Sequence, residues 1–577
     1  MARLYRVGIA GWMLCLALGT FPSAGISAGG ESELRSSSYS SSQIREAPVQ
    51  TPIDATMARL ARLEHIAGAN SAHLSAAGRN LFNLADRWAE IRERLVKGAA
   101  RPAQSERLAG ASPIFQSGLG AGTNLQNSRY SGFTQSETST AWCGANAVIG
   151  FNDSGAEVTT MASGRGVSMD GYALSSDRGM TFTYMGPPAT PSDPNTFMAG
   201  DPVVACADAS SFYYVSAYID GTNGISAVSL STSTDGGKTF SMPAVIVSQP
   251  SDSHIVDGAW IAAQTGNPAH LYVSYTDLDF SGSICGTDSG SAIPRYAIEI
   301  VSSADGGATW SAVPVTVAQV CADSSHPFAF VGGSWVAVGP AGDVYVAWEL
   351  FGNTDGLTGR EIQIARSIDQ AQSFPPLPVT VATVTCAGDC VDLQGLVHSN
   401  EYPSLAISKE PHGTKVYLAW TDGARQVPDT LTTTGSYNFT DIRFSQSGDA
   451  GATWSPPVRV NRDLEGGATP QVDHFESAIA TDSTGRIAIC FYDRRNDAAN
   501  FLIDRYCASS KSGNKWTNDR ITLTHFPVVV GQDILMAPDY MGDYDTLASD
   551  SLGRHSGFLG RFASNTAAHP IVHTTRY

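Results

Sequence analysis

The sequence predicts an all-β chain built from repeated small antiparallel sheets, and three observations carry that prediction. Four eight-residue stretches, 175–182 (SSDRGMTF), 233–240 (STDGGKTF), 303–310 (SADGGATW) and 447–454 (SGDAGATW), share the pattern Ser-x-Asp-x-Gly-x-Thr-aromatic. Upstream of each lies a run dominated by β-branched and aromatic residues, such as 213–220 (YYVSAYID), 344–349 (VYVAWE) and 416–422 (VYLAWTD). Before each run sits another short strand, often opened by an acid, as at Glu137, Asp201, Asp257, Glu401 and Asp543. A motif that returns at the length of one small sheet marks a repeat architecture.

Each residue of the eight has a physical task. The Asp accepts backbone N–H bonds within a tight turn, the Gly supplies a backbone conformation that a Cβ resists, and the Thr adds a second local hydrogen bond. The aromatic pins the turn to neighbouring sheet. Asp177, Asp235, Asp305 and Asp449 are therefore read as structural. Two worn copies, 367–374 (SIDQAQSF) and 510–516 (SKSGNKW), keep the rhythm.

The eight-residue pattern resembles the Asp-box, or bacterial neuraminidase repeat, of the sialidase-like β-propellers. That resemblance implies a ring of four-stranded blades in which each box joins the third and fourth strands, away from the binding face. Taking Glu137, Asp201, Asp257, His326, Glu401, His474 and Asp543 as blade starts gives intervals of 56 to 75 residues. Only 34 residues follow Asp543, too few for a box and a fourth strand. They still offer strands near 544–549, 557–562 and 571–575, which a strand near 114–125 could complete. Seven blades are expected; the alternative is six, the number in the sialidases themselves, with the C-terminal strands completing the first blade. Radial closure leaves few exposed edges.

Arg3 and Arg6 precede the apolar run 7–18 and a small-residue stretch, the pattern of a secretory leader over 1–28. A Ser-rich linker is expected over 29–53, a helical arm over 54–110 and the propeller over 111–577. In the arm, Asp54 could cap a helix bearing Met57, Leu60, Leu63 and Ile66, followed by a second helical pattern through Leu81, Leu84 and Trp88. The arm could pack on the propeller, form a stalk, act as a propeptide or dock a partner. A secreted or periplasmic destination is expected. No later stretch is long and apolar enough to span a bilayer. Without Cys15 the cysteines number eight, and repeat alignment suggests the pairs Cys143–Cys206, Cys285–Cys321, Cys386–Cys390 and Cys490–Cys507.

A formal charge of −18 argues against nucleic acid or an anionic membrane surface as partner. A glycan or a surface protein fits better. No cofactor is required and no metal site is assigned. The His residues lack zinc spacing, although acidic loops such as 277–279 and 539–545 could bind structural calcium.

In propellers the ligand face collects the loops that enter the innermost strands and leave the second strands. Three segments meet that condition in the last blades: 473–476 (DHFE), 492–497 (YDRRND) and 538–544 (PDYMGDY). Arginines that grip a carboxylate bidentately, beside carboxylates and a tyrosine, are the parts of sialidase chemistry. On that reading Arg494 or Arg495 anchors substrate, Glu476 or Asp543 is the general acid/base, and Tyr544 or Tyr540 assists. Asp493, His474, Glu401, Asp201 and Asp257 are candidate binding residues. The chain departs from the sialidase pattern in lacking a Phe/Tyr-Arg-Ile-Pro motif; 293–296 reads IPRY. Two function classes remain: a secreted glycoside hydrolase of sialidase-like type, or a non-catalytic propeller that binds glycans or proteins.

Overall fold

The protein is described by a computed structural model covering residues 52–67, 79, 82–83 and 85–89. Between 134 and 576 it covers all but 353–358, 389, 391, 411–412, 429–435, 464–470, 523–524, 528–532, 534, 537–540 and 566–569. The expected leader, most of the expected linker and the strand expected near 114–125 lie outside the described residues.

Five four-stranded antiparallel sheets and one five-stranded sheet form the six blades of a β-propeller, the extra strand being Val167–Ser168, which pairs parallel to the first of the four antiparallel strands of the second blade. Their innermost strands are Gln135–Cys143, Thr196–Cys206, His254–Ala263, Phe330–Val338, Ser404–Glu410 and His474–Thr481. The four antiparallel strands of each blade run in sequence order as a meander. Second strands such as Val344–Phe351 are buried along nearly their whole length, which is why they read as continuous apolar runs. The expectation of seven blades is corrected to six. The C-terminal remnant forms the three-stranded sheet Leu547–Ser549, Phe558–Asn565 and Pro570–Arg576, bridged to the first inner strand at Thr138 and Asp545, and does not complete the first blade, which already has four strands.

That sheet closes the ring by touching both of its ends. Thr546 N–H donates to Thr138 O (2.8 Å) and Thr138 Oγ1 to Asp545 Oδ1 (2.7 Å), tying the C-terminal segment to the first inner strand. Gly144 N–H donates to Asp550 Oδ1 (2.8 Å), and Ser551 N–H to Trp142 O (2.9 Å). The disulfide Cys143–Cys206 then joins the inner strands of blades one and two. The other three expected pairs, Cys285–Cys321, Cys386–Cys390 and Cys490–Cys507, are also formed. Four disulfides fit an oxidising compartment outside the cytoplasm. No described helix is long and apolar enough to cross a membrane.

The recurring turns lie between third and fourth strands, on the outer side of each blade. In the third blade Ser303 Oγ donates to Asp305 Oδ1 (2.8 Å), Gly307 N–H to Ser303 Oγ (2.9 Å), and Thr309 N–H and Oγ1 to the two Asp305 oxygens (2.8 and 2.5 Å). The same bonds hold Asp177, Asp235 and Asp449, and the worn copy reproduces them with Asp369 and Ser373. The Thr309 hydroxyl and then its backbone N–H hold Asp305 down to about 2. In the last copy no Asp is present; Ser510 Oγ still accepts from Ser512 and Gly513 N–H (3.2 and 2.9 Å), and Trp516 Nε1 still donates to Gly513 O (3.1 Å).

The turn glycine has two reasons to be glycine. Gly237 and Gly307 sit at φ 85° and 90°, and a Cβ there would lie 2.3 Å from Val148 Cγ2 and 2.7 Å from Leu230 Cδ2, in the preceding blade. Each turn therefore locks its own blade to the one before it. Gly179 makes the equivalent approach to Leu559, so the three-stranded sheet stands where a preceding blade would. Gly237→Val should cost on the order of 3 kcal/mol, from backbone strain plus overpacking, measurable as a lowered urea midpoint.

Candidate active site at the hub

Five inner strands break register near their starts, between Ser136 and Ser139, Gly200 and Val203, Asp257 and Trp260, Gly332 and Trp335, and Phe475 and Ala478. At each break one residue is left-handed: Glu137 (φ 54°), Asp201 (52°), Gly258 (58°), Gly333 (62°) and Glu476 (51°). A bulge re-aims a side chain, and a non-glycine held at positive φ costs about 1–3 kcal/mol. Three of the five positions carry that strain on an acid. The segments 400–403 and 543–544 enter the same region ahead of the fifth blade and the three-stranded sheet.

These strand starts enclose a cavity of about 50 Å³, room for a few waters. Asp201, Asp257, Glu476 and Asp543 line it, with Trp260, Trp335, Tyr402 and Tyr544 as its aromatic wall. The Trp260 and Trp335 rings lie 3.8 Å apart between centroids, and Tyr544 meets Trp260 edge-on at 5.3 Å. Trp335 also lines a second cavity of about 530 Å³, so its indole is shared between the two. Gly333 makes room for this wall: a Cβ there would fall 2.2 Å from the Tyr402 ring.

Carboxylates crowd the hub. Asp543 N–H donates to Glu137 Oε1 (3.0 Å), and the Asn152 amide links Glu137 to the Asp201 backbone. Burial, then the neighbouring Asp201 and Asp543, push the Glu137 carboxyl well above its ordinary range. Burial and then Asp545 do the same to Glu476, whose Oε1 has no hydrogen-bond partner. Beside Glu476, the Tyr492 hydroxyl donates to Asp545 Oδ2 (2.7 Å), Arg505 NH1 lies 3.6 Å from the same oxygen, and its guanidinium covers the Tyr492 ring at 4.5 Å. Among the described residues no propeller arginine lines the cavity. A cation arrives from outside the wheel: Arg79 NH2 is 3.2 Å from Asp543 Oδ1.

The three candidate segments do converge, but in two layers. Glu476, Asp543 and Tyr544 face the cavity, as do Asp201 and Asp257. Arg494 does not: it is fully buried against Asp473 (3.2 Å) and over the Phe475 ring. Arg495 pairs with Asp493 at 2.5 Å and covers Tyr506. His474 Nδ1 bonds Thr440 O, with its Nε2 3.4 and 3.5 Å from Asp463 and Asp493. Glu401 accepts from Ala387 N–H (2.6 Å) and pairs with Arg360, which also meets Glu349. Both arginines follow the last residue of the strand Ile487–Asp493, and in that turn each guanidinium closes onto a nearby acid instead of the hub. Tyr540 lies outside the described residues. Asp177, Asp235, Asp305 and Asp449 remain at the outer turns.

The expected acidic loop at 277–279 is instead the end of the buried strand Leu271–Asp279, where Asp277 and Asp279 face His254 at 3.0 and 3.5 Å. Among the described residues no group of three or more His, Cys, Asp or Glu side chains is arranged to hold a metal ion. Sequence reasoning passed over Glu137 as a site residue, and Tyr402, Trp260, Trp335 and Arg79 altogether. The two tryptophans had a readable signal in the related strings 257–260 (DGAW) and 332–335 (GGSW), each a glycine followed by a small residue and Trp.

No family model and no curated protein sequence matches the chain. Solved structures similar to it include a Hadza microbial sialidase, at 13% identity, 70% of this chain and 72% of that one, and a TM-score of 0.39. A PL25 polysaccharide lyase, an ulvan lyase, matches at 10% identity over 78% of this chain and 97% of its own, with TM-score 0.45. A Penicillium chrysogenum α-L-arabinanase matches at 12% identity over 79% and 98%, with TM-score 0.37.

Next to the hub, the helix Ser154–Ala162 buries Glu157 completely, with neither carboxyl oxygen hydrogen-bonded. Burial and then Asp533 push it up to about 8 from an ordinary 4.5. The folded state thus keeps a proton that the unfolded chain gives up, so this group's contribution to stability is intact below about pH 4.5 and drains away as pH rises toward 8. Glu157→Gln should match the wild-type melting temperature near pH 4 and exceed it at pH 8.5, read by scanning calorimetry.

Proposed function

We propose that the protein is a glycoside hydrolase whose site is the mouth of the hub cavity, the interior itself having room only for a few waters, acting on a sugar that carries no carboxylate. The observation that carries this reading is the set of buried carboxyls, Glu476 and Asp543 foremost, that share one cavity with an aromatic wall. Stacked aromatics bind the apolar faces of sugar rings, and a pair of carboxyls supplies the acid and base of glycosidic cleavage. Glu476 is suited to the acid role because burial and the neighbouring Asp545 raise its affinity for a proton. Asp543 is placed to stabilise positive charge on the sugar or to activate water. Tyr544, whose hydroxyl is engaged with Pro202 O (3.1 Å), serves better as wall than as nucleophile.

An acidic sugar such as a sialoside fits poorly, because the cavity wall offers carboxylates where that substrate needs guanidinium groups. Arg494 and Arg495 are already neutralised by Asp473 and Asp493. Arg495→Ala is accordingly expected to lower the melting temperature rather than abolish turnover. The same pairing of charges also favours a second reading, a propeller that binds glycans without cleaving them.

Turnover of a panel of neutral chromogenic glycosides separates the two. Glu476→Gln and Asp543→Asn should each lower kcat by roughly 10²–10⁴-fold with folding retained. Wild-type protein that binds oligosaccharides by calorimetry yet turns over none of the panel would leave the binding reading in place of the enzymatic one.

A further inference from the structure

The helix Pro52–Ala67 and the helical residues 85–89 belong to the same unit as the propeller. Met57, Leu60, Leu63, Phe82 and Ala85 form one continuous apolar cluster with Trp260, Phe330, Leu535 and Met536 at the hub. Trp88 Nε1 donates to Asp54 Oδ1 (2.7 Å), fastening the two helical pieces together. Arg59 sits close to Gly224, in the turn between second and third strands of blade two, on the face where inner strands begin. The arm therefore stands on the ligand face, opposite the recurring turns. From it Arg79 places a guanidinium against Asp543, with 11% and 1% of the two side chains exposed.

Charge balance around that contact is lopsided. Glu137, Asp201, Asp257, Glu476 and Asp543 gather there, and Arg79 is the cation that reaches them from the arm. Glu476 Oε1 and Asp543 Oδ2 are buried without a hydrogen-bond partner, and both residues line the cavity. Burying carboxylates without compensation is costly, and a cation with several N–H donors relieves that cost. The wall of Trp260, Trp335, Tyr402 and Tyr544 adds faces on which an ammonium or guanidinium group is further stabilised.

We propose that the hub cavity is a binding site for a cationic group, and that Arg79 of the N-terminal arm is a tethered occupant which an external guanidinium or amine must displace. The cavity is the one assigned above to glycan chemistry, but cation binding does not require turnover. A side chain held on its own chain acts at an effective concentration of order millimolar, so it weakens an external ligand by competition without any change in the wheel. Docked on Asp543, Arg79 also ties up the carboxylate assigned to charge stabilisation. A substrate carrying a free amine, such as an unacetylated amino sugar, would present the same charge to the same acids.

The test titrates L-argininamide into the full-length chain by calorimetry. Arg79→Ala should bind it at least tenfold more tightly than wild type, and Arg79→Ala with Asp543→Asn should lose that gain. Arg79→Lys, which keeps the tethered charge, should behave as wild type. Should Arg79→Ala fail to fold, Arg79→Gln provides the same comparison with the hydrogen-bonding stem retained. Equal binding by wild type and the neutral variants, or a gain that persists without the Asp543 carboxylate, would overturn the proposal. Because binding is read directly, a protein without glycosidase activity could still show the gain, and an active one could still lack it.

Discussion

Convergence on an axis is the constraint from which the rest of this molecule follows. Wedge-shaped sheets arranged in a ring bring their first strands together where little water fits, so any polar side chain sent inward has to find its partner there. Here the inward groups are mostly carboxylates, placed by bulges that turn one residue left-handed near the start of the strand. Glu137, Asp201 and Glu476 accept an unfavourable backbone to reach the hub, where glycine serves at Gly258 and Gly333. Backbone strain and buried charge coincide at the same three positions, as expected where geometry is kept for a site rather than for stability.

The outer rim solves a different problem. Blades touch through flat apolar faces that could slide, and the recurring turns prevent this by seating a bare glycine against the neighbouring sheet while Asp, Ser and Thr satisfy the turn's own polar groups. These aspartates are held low by hydrogen bonds and stay ionised, whereas the hub acids are pushed up by burial and by each other. One residue type thus does opposite work at the two ends of a blade. The difference is solvation: the rim Asp is open to water and donated to, while the hub acid is enclosed among like charges.

Ring closure links the two ends of the chain to the site. The segment 543–551 bonds the first inner strand through Thr138, Gly144 and Trp142, and the same segment delivers Asp543, Tyr544 and Asp545 to the hub. Closing the wheel and completing the cavity are therefore one event. The arm adds its cation to an assembly that is already short of positive charge, and the pairing of Arg360, Arg494, Arg495 and Arg505 with their own acids explains why none of those is free to do so.

Local chemistry was legible without coordinates. The eight-residue turns, the strand-like runs and the acids that open inner strands follow from residue preferences over a few positions. Among the disulfides, repeat alignment places Cys143 and Cys206 at matching depths, Cys490 and Cys507 on consecutive strands and Cys386 and Cys390 about a tight loop, which leaves Cys285 with Cys321. Blade number was not legible, because a remnant of three strands has the composition of a blade and only pairing shows that it lacks the fourth. Nor was the fate of Arg494 and Arg495. Whether a guanidinium faces a cavity or an acid depends on how the turn after Asp493 folds and, for Arg494, on Asp473 at the entry to the preceding strand. The placement of Arg79 is the extreme case: 464 residues separate it from Asp543, and no local pattern foretells a contact that exists only because the wheel brings distant carboxylates to one axis.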